Sequence, residues 1–72
     1  MDYKDILTSN GFTLYYSCSC RGTREERYMI NKENKLRIVI LPKRGMMETK
    51  INGSIACRTG IDNLQSEINK YI

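Results

Sequence analysis

From Phe12 onward the chain divides into short segments of alternating polarity joined by connections of two to five residues, and that brevity restricts its fold more than any other feature. A parallel pair needs a crossover of a dozen or more residues, so strands joined this closely must run antiparallel beside their neighbours in the chain. Residues 12–20 set Phe12, Leu14, Tyr16, Cys18 and Cys20 on one face and Thr13, Tyr15, Ser17 and Ser19 on the other, the period of two that marks a half-buried strand. After a turn at Arg21-Gly22-Thr23, residues 24–30 end in the β-formers Tyr28, Met29 and Ile30 and pair back as a hairpin. Asn31-Lys32-Glu33-Asn34 leads to residues 36–41, where Leu36, Ile38 and Ile40 alternate with Arg37, Val39 and Leu41, a composition that suits the centre of the sheet. Pro42-Lys43-Arg44-Gly45 ends that strand, and residues 46–51 form a fourth. Asn52-Gly53 then predicts a type I′ hairpin, whose two central residues need positive φ, and with it a short fifth strand over residues 54–58.

Helical spacing appears only at the two ends. Over residues 2–9, Tyr3, Ile6 and Leu7 share a face, Asp2 is placed to cap the amide of Asp5, Met1 and Ile6 are placed as a hydrophobic staple, and Asn10-Gly11 stops the helix. In the last segment Ile61, Leu64, Ile68 and Ile72 recur at spacings of three and four after a cap at Thr59 or Asp62. The expected architecture is therefore α+β: an antiparallel meander of three to five strands with N- and C-terminal helices packed on one face. Seventy-two residues leave room for one core, so residues 1–72 are read as a single domain.

The formal charge of +4 is unevenly distributed. Residues 21–58 carry ten Lys or Arg against four Glu, whereas the two helical ends carry two Lys against four Asp or Glu. With both helices on one face, the other face is left basic and partly apolar: Arg27, Arg37 and Lys50 share it with Tyr15, Met29, Val39, Leu41 and Met46, and Arg21, Arg24, Lys32, Lys35, Lys43 and Arg44 stand at its turns. Two partners fit such a surface. Nucleic acid would have its phosphates neutralised by the cations and an unpaired base stacked on a tyrosine such as Tyr15 or Tyr28. A protein, including a second copy in a homodimer, would use Met29, Val39, Leu41 and Met46.

Catalytic chemistry is poorly served. The chain has no histidine, which removes the commonest general base and zinc ligand. No phosphate-binding glycine loop is present, and Glu25-Glu26, adjacent on a strand, point to opposite faces and read as a solvated edge. Cys18, Cys20 and Cys57 are the only candidate metal ligands. Four ligands are needed, and sulfurs two residues apart on a strand lie about 6 to 7 Å from each other, so these cysteines are read as inward-facing packing residues. No catalytic residue, metal, cofactor or small-molecule substrate is expected. The odd number of cysteines argues for reduced thiols without a structural disulfide. No stretch approaches the roughly 18 apolar residues of a membrane span, and Met1-Asp2-Tyr3-Lys4-Asp5 lacks a signal pattern. The expected location is the cytoplasm.

The order of helix, strands and helix resembles the double-stranded-RNA-binding-like fold, which small mRNA-interferase toxins also adopt. Those toxins use a histidine in the early strands, and residues 15–27 contain none, so ribonuclease activity is not implied. The lysine-rich start of the last helix in the double-stranded-RNA-binding family is likewise replaced by Thr59-Gly60-Ile61-Asp62-Asn63. Gly11-Phe12, Tyr15-Tyr16, Cys18-Ser19-Cys20 and Pro42-Lys43-Arg44 together look like small uncharacterised Cys-x-Cys proteins of gut Bacteroidetes and their phages. That resemblance implies a phage or mobile-element origin, a bacterial or phage-infected cell as the location, and an accessory role in assembly or nucleic-acid handling. The resulting expectation is a noncatalytic binding module working through Tyr15, Arg27, Met29, Arg37, Val39, Lys43, Arg44 and Lys50.

Overall fold

The computed structural model describes residues 2–20 and 22–72. Met1, Arg21 and the Cys20 side chain lie outside the described residues, and with them the staple expected at Met1, the turn cation expected at Arg21 and the inward side chain expected at Cys20. Helix α1 (Tyr3–Ser9) precedes five strands, β1 (Thr13–Cys20), β2 (Thr23–Met29), β3 (Leu36–Leu41), β4 (Met46–Ile51) and β5 (Ser54–Gly60), and helix α2 (Leu64–Tyr71) closes the chain. Short 3-10 turns at Pro42–Arg44 and Ile61–Asn63 lead into β4 and α2. All five strands pair antiparallel in the order β1-β2-β3-β4-β5, the α+β meander that the short connections require.

The core lies between the helices and one face of the sheet. Leu7 of α1 and Leu64 and Ile68 of α2 pack with Phe12, Tyr28, Leu36, Ile38, Ile40 and Met47. Burial of Leu36, Ile38 and Ile40 makes β3 the central strand, as its alternation requires. Each helix has only two turns and is held by this apolar contact, because isolated helices of that length are marginal in water. At Asn52-Gly53 both residues have positive φ, 55° and 83°, which is the geometry a type I′ hairpin demands.

The helix ends differ from expectation. The Asp2 side chain makes no cap; its carbonyl accepts from the amides of Asp5 and Ile6 at 3.1 and 3.2 Å instead. At the other end of α1, Asn10 Nδ2 donates to the Ile6 carbonyl at 2.7 Å. Helix α2 starts after the 3-10 turn with no side-chain cap on Asn63, and Ile72 is exposed instead of joining the apolar stripe.

The largest departure is in β1. Thr13 and Leu14 pair with Met29 and Tyr28, but the register then shifts, so that Tyr16 pairs with Arg27 and Cys18 with Glu25. Tyr15 is the extra residue of a β-bulge, and from there on the alternation of β1 is inverted. Tyr16 and Cys18, expected inside, therefore belong to the open face, and Ser17 and Ser19 take the helix side. A second shift between Thr49 and Lys50 sets Ile55 opposite Lys50 on β5, where it is exposed.

Candidate functional site

Cross-strand register defines the open face as rows of facing residues. One row runs Tyr16, Arg27, Val39, Glu48, Arg58 and the next Met29, Arg37, Lys50, Ile55. The bulge brings two tyrosines onto this face. The Arg27 guanidinium lies 4.4 Å from the Tyr16 ring centre and that of Arg37 lies 5.8 Å from Tyr15, distances at which ring and cation attract. Both rings stay open to solvent, 43% exposed at Tyr15 and 41% at Tyr16.

The arginines behind them are anchored. Arg27 Nε donates to Glu25 Oε2 at 2.5 Å, a contact that raises its already high pKa. Arg37 Nη1 donates to the backbone carbonyls of Asn34 and of Leu36, the latter at 2.9 Å, and Nη2 reaches the Lys32 carbonyl at 3.3 Å. Arg37 thus ties the β2–β3 connection to the sheet. Across the face Arg58 Nε meets Glu48 Oε2 at 2.9 Å. Lys43, Arg44 and Lys50, by contrast, make no side-chain hydrogen bond or ion pair among the described residues.

Two expected contact residues are not accessible. Val39 faces outward but is only 2% exposed; its cross-strand neighbours are Arg27 and Glu48, and long stems of this kind can cover an apolar residue beside them. Tyr28 is buried on the helix side and cannot stack on a base. Met29, Leu41 and Met46 are half-buried, so apolar contact on this face is modest.

Glu26, read from sequence as part of a solvated edge, is 1% exposed. Its Oε1 accepts from the hydroxyls of Tyr3 at 2.8 Å and Tyr28 at 3.0 Å, and its Oε2 pairs with Arg24 Nη2 at 2.9 Å. Burial pushes the carboxyl pKa up, but the two hydroxyl donors and the Arg24 charge outweigh it and hold the group below the ordinary carboxylate value. The same environment, burial first and the hydrogen bond to Glu26 second, pushes Tyr3 up to about 12 and Tyr28 up as well. This is a lock between α1 and the sheet. Its signal in the sequence was the parity of Glu26 with Tyr28, which puts both on the core face.

Cys18 and Cys57, the cysteines whose side chains are described, do not converge. Cys18 lies on the open side of the edge strand β1 and Cys57 opposite Thr49 on the other edge strand, β5, about 19 Å away across four strand spacings. No group of three or more His, Cys, Asp or Glu that could hold a metal occurs among the described residues. Near Cys57, Lys70 Nζ bonds Glu67 Oε2 at 2.7 Å, which with the thiol lowers the Glu67 pKa. Contact with Glu67 raises that of Cys57 and so keeps the thiol protonated. Glu67 Oε1 and Thr49 Oγ1 are buried here without a hydrogen-bond partner.

At one corner of the open face a cleft of about 350 Å³ lies between the β1–β2 turn and the Pro42–Arg44 turn. Gly22, Thr23, Arg24 and Glu25 line it from β2 and the turn before it, and Leu41, Lys43, Arg44 and Glu48 from β3, β4 and the turn between them. No protein-family model, curated protein or solved structure matches the chain. Among the described residues no helix is long and apolar enough to cross a membrane.

Proposed function

We propose that the protein is a noncatalytic binding module that holds nucleic acid on the open face of its sheet, as an accessory factor of a phage or mobile element. The observation that carries this reading is the pair of solvent-open rings at Tyr15 and Tyr16, each with an anchored guanidinium beside it. Exposed aromatics on a sheet accept unpaired bases, and the cations Lys43, Arg44 and Lys50, which have no side-chain partner among the described residues, are available to neutralise phosphates. Unpaired bases are what such rings can stack, so single strands are the favoured form.

The test is anisotropy titration of labelled single- and double-stranded oligonucleotides over a salt series. Three phosphate-neutralising cations give a slope of about −2 in log K against log salt for a single strand. Tyr15→Ala with Tyr16→Ala should weaken single-strand binding by about tenfold or more. Absence of binding at the lowest salt would end this reading.

A protein partner, including a second copy of the chain, is the alternative. It is favoured by β1, an edge strand without a charged residue or proline that exposes Leu14 together with the two tyrosines. Edges of this kind pair readily with another strand. Sedimentation equilibrium decides the homo-oligomer: a dimer abolished by a Lys placed at Leu14 supports it, and a monomer at high concentration rejects it.

A further inference from the structure

We propose that the corner cleft between the β1–β2 turn and the Pro42–Arg44 turn is a subsite for the phosphate of a nucleotide. The inference rests on the nucleic-acid reading above and adds where a strand is anchored. Its basis is which charges in the cleft are already committed. Glu25 is taken by Arg27 at 2.5 Å, Glu48 by Arg58 at 2.9 Å and Arg24 by Glu26 at 2.9 Å. Among the described residues the lining contains no further carboxylate. Lys43 and Arg44 are left, adjacent in the chain, exposed and without ion-pair partners among the described residues. A cleft whose uncommitted charges are both positive recruits an anion, and a lysine beside an arginine supplies charge-assisted donors for phosphate oxygens.

Size selects among anions. About 350 Å³ is at the small end of the range for organic ligand sites and exceeds what a bare phosphate fills. Leu41 offers a half-buried apolar surface within the lining for an attached sugar or base. The cleft is linked to Tyr16 through two side-chain contacts. Glu25 lines it and holds Arg27, which lies over Tyr16. Cys18, the partner of Glu25, is two residues from Tyr16, a step of about 7 Å along the strand. A nucleotide phosphate seated against Lys43 and Arg44 therefore has its neighbouring base within reach of Tyr16. The phosphate can come from a strand or from a free mononucleotide, and the experiment separates them.

Amide spectra of the 15N-labelled protein are recorded during titration with inorganic phosphate, adenosine monophosphate and 5′-phosphorylated or unphosphorylated single strands. Adenosine monophosphate should shift Gly22, Lys43 and Arg44 saturably, and more strongly than phosphate does. The Lys43→Ala/Arg44→Ala variant should lose those shifts with its spectrum otherwise intact, while Lys50→Ala, which removes a charge outside the cleft, should keep them. If strands bind, the double variant should bind them about tenfold more weakly, and a 5′-phosphate should strengthen binding to the wild type only. Strand binding that is unchanged in the double variant, with no nucleotide shifts at the cleft, overturns the subsite and leaves the open-face reading standing. Shifts at the cleft from the mononucleotide, with no binding of any strand, overturn the open-face reading and assign the cleft to free nucleotides. Shifts lost equally in Lys50→Ala overturn the subsite as well, because they report overall charge alone.

Discussion

Glu25 and Glu26 are neighbours in the chain, and the sheet gives them opposite surroundings. Glu26 points toward the helices, is excluded from water and receives two tyrosine hydroxyls and a guanidinium. Glu25 points away, stays partly exposed and meets one arginine, which itself lies over a tyrosine. On the helix side the Glu26 charge is held by three converging donors, because an unpaired buried carboxylate costs several kcal/mol. On the open side water does that task, and ion pairs such as Arg27–Glu25 and Arg58–Glu48 contribute little to stability and much to orienting groups at the surface. The sheet thus has a face that holds the fold together and a face that is left open to water.

The most drastic way to break the comparison is to remove packing from the helix side. Ile40→Ala, at a position with no solvent exposure, should cost about 2 to 5 kcal/mol, enough to unfold much of a domain this short, as urea denaturation followed by circular dichroism will show. Glu26→Gln comes next, at about 1 to 3 kcal/mol, against less than about 1 kcal/mol for Glu25→Gln; equal losses would mean that the two faces do not differ in this way.

Titration sharpens the same contrast. Glu26 is held below the ordinary carboxylate pKa, so its contribution is present above about pH 4.3 and is lost as the pH falls through its lowered value. Glu26→Gln should flatten the acid limb of Tm against pH, with the remaining slope due to Glu67, whose pKa Lys70 also lowers. Tyr3 runs the other way. Raised from 10.0 to about 12, its contribution is complete below pH 10.0 and lost as the pH rises toward 12. Tyr3→Phe should remove that part of the alkaline decline, and an unchanged alkaline limb would count against the lock. The smallest effect is expected on the open face, where Arg58→Ala should change stability by about 0.2 to 1 kcal/mol, read from the shift in the denaturation midpoint.

Much of the candidate site was legible before folding was considered. The positions of Arg27, Arg37 and Lys50 on one face follow from strand parity, and Lys43 and Arg44 follow from the Pro42 turn. Tyr16 was misplaced because alternation carries no mark of a bulge: adding one residue at Tyr15 leaves the pattern of residue types untouched while reversing the side chains of Tyr16, Ser17, Cys18 and Ser19. Val39 was misjudged for another reason. Parity tells which way a side chain points, and how far its cross-strand neighbours, here Arg27 and Glu48, leave it open to solvent is a matter of packing between strands.

The order of elements, the antiparallel meander and the central place of β3 were determined by sequence alone, because short connections, Asn52-Gly53 and alternating Leu36, Ile38 and Ile40 are local signals with local causes. Tertiary structure alone decided that Glu26 is buried, that Tyr15 and Tyr16 share the open face, and that a cleft forms between two turns distant in the chain. These depend on which groups meet across strands and between helix and sheet. A carboxylate is stable in a core only where particular donors converge on it, and no stretch of residues read along the chain contains that convergence.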